Sequence, residues 1–152
     1  MENKLNPAKR YRVLFVCLGN SCRSPMAEAI ARQTAADVIV AASAGTMALG
    51  FVAPPTLKVL EERGMKTEGL SSKPITRETR GNAEIIINMT GSPARRVLPG
   101  EESKTEDWLV TDPYGERVEA YRDTYDEIEA RMTEFAARLR ARRAAPAESA
   151  AK

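Results

Sequence analysis

One short stretch of the chain, CLGNSCRSP at residues 17–25, combines thiol, guanidinium and hydroxyl groups. It follows the apolar run from Val13 to Val16, which predicts a buried strand, and it leads into Pro25, a residue type favoured at the first position of a helix. A loop between a strand and a helix N-terminus can aim several backbone N–H groups at one point, where the helix dipole adds positive potential. The stretch therefore predicts an anion-binding loop.

Cys17 begins this loop and is the predicted nucleophile. A neighbouring cation and a helix N-terminus both favour the thiolate over the thiol. Arg23 supplies the cation, and its planar guanidinium can hold two oxygens of a phosphate at once. The five residues between Cys17 and Arg23 let the loop wrap a tetrahedral dianion, and Ser24 can donate a hydrogen bond to the sulfur when it departs. The predicted chemistry is therefore nucleophilic attack on a phosphoryl group.

The middle of the loop contains residues that suit a tight backbone path. Gly19 can adopt conformations forbidden to other residues, and Asn20 tolerates the left-handed region. The pattern differs from the nucleotide-binding loop, which ends in Gly-Lys-Ser/Thr. A plainer interpretation stays open, in which Cys17 and Cys22 are small buried residues at a strand end and Arg23 caps a helix.

A leaving group needs a proton, and the sequence contains no histidine to give it. Asp112 lies in the segment TDPYG, a proline-stiffened loop that follows a short predicted strand. Ligands of open parallel sheets bind beyond the carboxyl ends of the strands, so Cys17 and Asp112 are expected to meet at one edge. Aspartate before proline is also an ordinary turn residue. The other acidic candidates are Asp107, Glu116 and Glu119.

The elements that must position these residues alternate between strands and helices. Strands are predicted over 12–16, 38–42, 83–88 and 108–110, with a turn at 43–46. Helices are predicted from Ser24, as N-cap, to about residue 36, from Pro54 or Pro55 to Arg63, and along one apolar face from Val118 to Leu139. This order predicts an α/β fold, a single-domain three-layer α/β/α sandwich with a four-stranded parallel sheet and the anion-binding loop after its first strand.

Length and composition narrow the classes of protein that remain. The 152 residues predict one domain at 11–140, with a flexible N-terminal extension at 1–10 and a flexible C-terminal tail at 141–152. A net charge of +2 without a dense basic stripe gives no indication of nucleic-acid binding, and no apolar run is long enough for a membrane span. The polar N-terminus lacks a signal peptide, so we expect a cytoplasmic protein. Two cysteines exclude a disulfide framework, and neither a metal nor a cofactor is expected.

The segments 16–28 (VCLGNSCRSPMAE), 43–46 (SAGT) and 112–115 (DPYG) together resemble the low-molecular-weight protein tyrosine phosphatase family, over roughly residues 11–140. The resemblance is to its bacterial branch, with features similar to protein arginine phosphatases. It implies that Cys17 forms a phosphocysteine and that Asp112 acts as general acid and then as general base. It also implies a phosphorylated protein as substrate and a phosphate or other oxyanion in the site. The phosphoryl oxygens would be bound by Leu18, Gly19, Asn20, Ser21, Cys22 and Arg23.

The resemblance implies further roles around the loop. Asn20, Ser24 and Ser43 would support the loop and tune the thiolate. Cys22 matches a second loop cysteine that can form a protective disulfide with the nucleophile, although it can equally be a small packing residue. Many members support the loop with a histidine, which this chain lacks.

The substrate is left open between several possibilities. Phosphotyrosine leads, because Tyr114 could flank an aromatic ring, with an opposite wall made by Met47, Leu49 or Phe51. Phosphoarginine is the alternative, because members similar to arginine phosphatases carry threonine where this chain has Ser21. Arsenate reduction would need an external thiol, since no cysteine follows Cys22. A non-catalytic phosphopeptide-binding module is expected to lack the nucleophile or the acid, and both are present.

Overall fold

The computed structural model describes residues 8–145, and its elements alternate as the sequence predicts. The strands are β1 (Tyr11–Cys17), β2 (Ile39–Gly45), β3 (Ile85–Asn88) and β4 (Thr105–Asp107). The α-helices are α1 (Arg23–Thr34), α2 (Pro54–Glu62), α3 (Arg77–Asn82), α4 (Ala94–Val97) and α5 (Val118–Ala144), and a short 3₁₀ helix spans Glu102–Lys104.

The four strands form one parallel sheet in the order β2-β1-β3-β4. Cys17 at the end of β1 pairs with Gly45 of β2, and Val16 pairs with Asn88 of β3. The carboxyl ends of these strands therefore open at one edge of the sheet, where the loop after β1 begins.

Helices cover both faces of the sheet because β1 alternates its buried side chains between them. Phe15 and Ile87 point to the core shared with α1, α2 and α5, whereas Leu14 and Ile86 point to a smaller core beside α3 and α4. Trp108 joins the larger core, with its ring 6.0 Å from that of Phe15. The predicted three-layer α/β/α sandwich with a four-stranded parallel sheet is confirmed.

Two predicted strands are displaced. The prediction of β4 at 108–110 is wrong, because the strand is the polar segment Thr105–Asp107. An edge strand pairs on one side only and needs no apolar run. Trp108 still donates its backbone N–H to Asn88 at 2.9 Å, but Leu109 is 81% exposed. The predicted turn at 43–46 is also wrong in part, because β2 continues to Gly45.

The start of α1 differs from the prediction. Ser24 is not the N-cap, because the helix begins at Arg23 with Cys22 at the cap position and no capping side chain. The Ser24 hydroxyl instead lies 3.0 Å from the Cys17 sulfur. The short helices α3 and α4 were not predicted. α3 has a capping box at Thr76 and Thr79, a signal that the sequence does contain.

The last helix is longer than predicted, since α5 runs to Ala144 and beyond the expected domain end at 140. Its last turns are tied down, because Arg140 and Arg143 both bind the carboxylate of Asp37 between α1 and β2. Residues 1–7 and 146–152, which hold most of the two expected flexible ends, lie outside the described part of the chain. No helix among residues 8–145 is both long and apolar enough to cross a membrane.

We predict that Asp37→Asn destabilises the protein at neutral pH by less than about 1 kcal/mol, because the ion pair is half-exposed. The hydrogen bond from Arg140 lowers the pKa of Asp37 to about 2. A lowered carboxyl pKa adds stability above the ordinary value near 4. That stability is lost as the pH falls through about 2, so the difference in melting temperature between wild type and variant should vanish there.

Thermal unfolding at several pH values measures this difference. Asp123→Asn is the matched control, because Asp123 is exposed on α5 and has no ion pair within residues 8–145. A gap in melting temperature that persists to the lowest pH, or an equal loss in the control, would contradict the role given to Asp37.

Candidate active site

A cavity of about 270 Å³ opens at the carboxyl edge of the sheet, directly beyond β1. It brings together residues that are far apart in the sequence, because Cys17 and Asp112 both line it. The predicted loop residues other than Asn20 form its floor, and four residues from two other segments form its sides. The lining residues are Cys17, Leu18, Gly19, Ser21, Cys22, Arg23, Met47, Leu49, Asp112 and Tyr114.

The carbonyl groups of the loop after β1 point away from the cavity. The segment from Thr46 to Ala53 runs along the outer side of the loop and donates its backbone N–H groups to them. The bonds are Thr46 N–H to the Cys17 oxygen (3.1 Å), Met47 to Leu18 (2.8 Å), Leu49 to Gly19 (3.0 Å) and Ala53 to Ser21 (3.1 Å). Thr56 adds a hydroxyl donor to the Ser21 carbonyl at 2.9 Å.

The backbone N–H groups of the same loop have no acceptors within residues 8–145. Among the described residues, none of the N–H groups from Leu18 to Arg23 makes a hydrogen bond, and the buried Nε of Arg23 has no partner either. Buried N–H groups are nearly always paired in folded proteins, because an unpaired one costs free energy. Most of these residues line the cavity together with Cys17, so the loop can receive the oxygens of an anion.

Polar side chains hold the loop from behind. Asn20 has a φ of 49°, in the left-handed region that asparagine tolerates. Its side-chain nitrogen donates to the hydroxyls of Ser24 at 2.7 Å and Ser43 at 3.0 Å, and its oxygen accepts from the backbone N–H of Lys73 at 2.9 Å. Ser24 in turn lies 3.0 Å from the Cys17 sulfur. The three predicted support residues are therefore joined in one network. The backbone N–H of Lys73 completes this network, which contains no histidine.

Arg23 is held in place by backbone carbonyls that the sequence analysis missed. Its Nη1 donates to the Met89 oxygen at 2.6 Å, just after β3, and more weakly to the Val110 oxygen at 3.5 Å. Asn88 orders the turn after β3 through hydrogen bonds with Thr90. The guanidinium is buried, and its orientation is set by carbonyl groups of the segments that follow β3 and β4 before any ligand binds.

Asp112 faces the cavity from the loop before α5. Its Oδ2 lies 3.3 Å from Nη2 of Arg23, and its Oδ1 accepts the backbone N–H of Tyr114 at 3.1 Å. Thr124 of α5 donates its hydroxyl to the Thr111 carbonyl at 3.0 Å, which anchors the loop. The side chain of Asp112 is 45% exposed, so the carboxyl group can reach both the cavity and water.

Cys22 lies on the helix side of the loop, with its sulfur 3.8 Å from the Tyr121 hydroxyl. Burial raises the pKa of the Cys22 thiol. Burial and the contact with Cys22 likewise raise the pKa of Tyr121 far above its ordinary value. Cys17 and Cys22 are both buried free thiols that line one cavity.

The cavity walls are mostly apolar. Met47, Leu49 and Tyr114 line them and are 70%, 44% and 49% exposed, so they form the mouth. Phe51, also expected in the wall, does not line the cavity. Ser21 lies inside it with only 2% of its surface exposed, and its hydroxyl has no hydrogen-bond partner within the described chain.

Gly45 is a further site residue that sequence reasoning placed only in a turn. An added Cβ there would lie 2.7 Å from the Leu18 oxygen and 2.9 Å from the Asn20 nitrogen, which are both backbone atoms of the loop. The end of β2 and the loop can therefore approach each other only because residue 45 has no side chain.

Comparisons with known proteins agree with this geometry. A family model described as "Low molecular weight phosphotyrosine protein phosphatase" matches residues 12–145. The probable low molecular weight protein-tyrosine-phosphatase EpsP of Ralstonia solanacearum is 32% identical, over 85% of this chain and 96% of its own length. The glutaredoxin arsenate reductase of Synechocystis is 31% identical, over 84% of this chain and 98% of its own. The solved YwlE arginine phosphatase of Geobacillus stearothermophilus is 30% identical, with a TM-score of 0.79, 87% of this chain and 94% of that chain covered.

The fold and the site define an α/β protein with an anion-binding loop and a cysteine at its floor. The chain belongs to the low molecular weight phosphotyrosine protein phosphatase family, as the sequence motifs indicated. It is thus a member of a family of hydrolases with relatives named tyrosine phosphatase, arginine phosphatase and arsenate reductase.

We predict that Gly45→Ala lowers kcat/KM for an aryl phosphate by about 10²-fold, since the added methyl group displaces the loop from its anion-binding geometry. Steady-state kinetics and calorimetry with inorganic phosphate measure the loss of activity and of affinity. Gly81→Ala is the matched control, because a Cβ at Gly81 meets no atom within 4 Å. Unchanged kinetics in Gly45→Ala would show that the loop does not need this close approach.

Proposed function

We propose that the protein hydrolyses phosphorylated protein side chains, foremost phosphotyrosine, through a phosphocysteine intermediate. The observation that carries this proposal is the row of N–H groups from Leu18 to Arg23, with the Arg23 Nε, which have no partner within residues 8–145 and belong to the loop that begins at Cys17 and lines the cavity. Such donors fit the three oxygens of a phosphoryl group as its charge develops in the transition state. The family match supports the same chemistry.

In the first step the Cys17 thiolate attacks phosphorus, so that a sulfur–phosphorus bond forms and the bond to the tyrosine oxygen breaks. The hydroxyl of Ser24 can donate its proton toward the sulfur, because its oxygen already accepts from Asn20. Asp112 gives a proton to the departing phenol oxygen. In the second step Asp112 takes a proton from water, the water oxygen attacks phosphorus, and phosphate and the thiolate are released. No cofactor takes part.

The ion pair between Asp112 and Arg23 takes part in this series of reaction steps. A phosphoryl dianion that binds Arg23 replaces the Asp112 carboxylate as the partner of the guanidinium. The negative charge of the phosphoryl group then favours the protonated carboxyl, which is the form that can donate a proton. Asp112 is free to move, since it is half-exposed and held by one backbone hydrogen bond to Tyr114.

The mouth of the cavity supports phosphotyrosine as the substrate. Tyr114 lines it from the loop before α5, and Met47 and Leu49 line it from the segment after β2. An aromatic ring that enters between them gains apolar contact and ring stacking while its phosphate reaches Cys17. We propose further that the phosphotyrosine belongs to a protein and that the reaction takes place in the cytoplasm.

Phosphoarginine is the second candidate, and one observation favours it. The Ser21 hydroxyl is buried in the cavity wall, has no partner in the part of the chain that the structure describes, and can accept a hydrogen bond from a guanidinium N–H. The similarity to an arginine phosphatase structure supports this candidate. Arsenate reduction, named in another relative, would need a thiol from outside the chain, because no cysteine follows Cys22 in the sequence.

We predict that Asp112→Asn slows hydrolysis of phosphotyrosine by roughly 10²- to 10⁴-fold, the usual contribution of a positioned acid. A nitrophenyl phosphate should lose less, because its leaving group departs without a proton. The alkaline fall of kcat/KM should flatten, since the amide that replaces the carboxyl group has no acidic proton to lose. Initial-rate assays with both substrates at a series of pH values measure these effects on kcat/KM.

Glu116→Gln is the control for this variant, because Glu116 is an exposed carboxylate in the same loop and does not line the cavity. It should leave the rates unchanged. If Asp112→Asn keeps the wild-type rate and alkaline limb, then Asp112 is not the acid.

Offering phosphotyrosine and phosphoarginine peptides side by side decides between the two substrates. Ser21→Ile should raise the ratio of kcat/KM for phosphotyrosine over phosphoarginine by about tenfold, because an apolar side chain replaces a potential acceptor for the guanidinium. Ser21→Ala separates the loss of the hydroxyl from the gain of apolar bulk. A ratio that is the same in all three proteins would remove Ser21 as a determinant of specificity.

A further inference from the structure

The support network behind the loop does not end at Ser43. The Ser43 hydroxyl donates to Oε1 of Glu28 at 2.5 Å, and the other oxygen of Glu28 forms an ion pair with Arg32 one turn further along α1. Glu28 is only 2% exposed. A buried carboxylate is costly unless it is paired and hydrogen-bonded, so this residue requires a structural explanation.

The direction of each hydrogen bond in the network follows from its chemistry. The backbone N–H of Lys73 can only donate, so the side-chain oxygen of Asn20 must face it and the nitrogen must face the two serines. An ionised carboxylate can only accept, so the Ser43 hydroxyl gives its hydrogen to Glu28. The Ser43 oxygen is thereby left as an acceptor for Asn20.

The same order continues to the nucleophile. Asn20 uses its two amide hydrogens on Ser43 and Ser24. The Ser24 oxygen therefore accepts from Asn20, and its own hydrogen is available to the Cys17 sulfur at 3.0 Å. A donor in this position stabilises the thiolate.

We propose that Glu28 is a positioning residue for the nucleophile, which fixes Ser43 as the acceptor for Asn20 and so holds the Ser24 hydrogen bond on Cys17. The inference rests on the proposed function only in naming Cys17 as the nucleophile. Glu28 touches neither the cavity nor a substrate, and it acts through three side chains.

Arg32 explains why a carboxylate is needed at this position. A guanidinium has no acceptor, so an amide at residue 28 has two possible orientations. Its oxygen faces Arg32 and its nitrogen faces Ser43, or its oxygen faces Ser43 and its nitrogen faces Arg32. In the first case two donors converge on Ser43, whose hydroxyl hydrogen loses its acceptor. In the second case the amide nitrogen faces a cation. The second arrangement keeps the contact between Ser43 and Asn20 but places the amide dipole against the guanidinium of Arg32, so the first arrangement is favoured, and it disturbs that contact.

The change of charge in Glu28→Gln would by itself affect the Cys17 thiolate in the opposite direction. Removing a negative charge near Cys17 would favour the thiolate, whereas disturbing the network would disfavour it. The charged groups near Glu28 are Arg32 on the same helix and Lys73 from the segment that packs beside it. Those near Cys17 are Arg23 and Asp112, with the Cys22 thiol in the same cavity. Because Arg32 already neutralises Glu28, we expect the effect of the network to dominate.

The test is the thiolate absorbance of Cys17 as a function of pH, obtained by subtracting the spectrum of a Cys17→Ser counterpart from that of each protein. We expect Glu28→Gln to shift the titration to higher pH, with about tenfold less thiolate at pH values below the midpoint, as for one weakened hydrogen bond to a charged group. The acidic limb of kcat/KM should move with it. The absorbance needs no substrate, so its outcome is independent of whether the protein hydrolyses phosphotyrosine.

A second variant restores the network. In Glu28→Gln/Arg32→Met the amide oxygen can face Ser43 without conflict, so the titration should return to within about threefold of wild type. Ser43→Ala, which keeps the ion pair between Glu28 and Arg32, should shift it in the same direction as Glu28→Gln.

Glu84→Gln is the matched control, because Glu84 is also ion-paired and accepts a backbone N–H, but lies at the amino end of β3. It should lower the melting temperature without moving the titration. A Glu28→Gln or Ser43→Ala titration that coincides with wild type or moves to lower pH overturns the proposal. A double variant that shifts as far as Glu28→Gln overturns it as well.

Discussion

The loop after β1 can turn its N–H groups toward the cavity only because its carbonyl groups are bound on the opposite side. The segment from Thr46 to Ala53 supplies those donors, and it reaches the loop because β2 lies directly beside β1. Gly45 permits the close approach at the end of β2. The sheet, this outer segment and α2 therefore act together to keep a row of donors unpaired, which an isolated peptide could not maintain.

The same site is built without a histidine, and it divides the task of support between backbone and side chains. Met89 and Val110 orient Arg23 through carbonyl oxygens of the segments that follow β3 and β4. The N–H of Lys73 orients Asn20, whose left-handed backbone shapes the loop. Most of these groups are fixed by the fold itself, so the cavity is organised before an anion arrives. Preorganised donors cost little reorganisation in the transition state, which is how such sites accelerate reactions.

Much of this arrangement could be predicted because it is encoded locally. The stretch CLGNSCRSP contains its own strand end, loop and helix start, and parallel strands bring Asp112 to Cys17 although they are 95 positions apart. The position of β4 was predicted wrongly because an edge strand needs no apolar run. The apolar residues from Trp108 onward, which follow the strand, were taken for it. Gly45 and Glu28 were missed for another reason. A glycine in a turn and a glutamate near a helix start look ordinary in a sequence, and only tertiary contacts show that one is too close to the loop and the other is buried.

The central claim is that Cys17 carries the phosphoryl group between two steps. Rapid acid quenching during turnover of an aryl phosphate, followed by peptide mapping by mass spectrometry, tests this most directly. The account predicts a phosphoryl group on the peptide that contains Cys17, located on its sulfur, and neither that adduct nor turnover in Cys17→Ser. Turnover by Cys17→Ser near the wild-type rate, or a phosphoryl group on another residue during turnover, would contradict it.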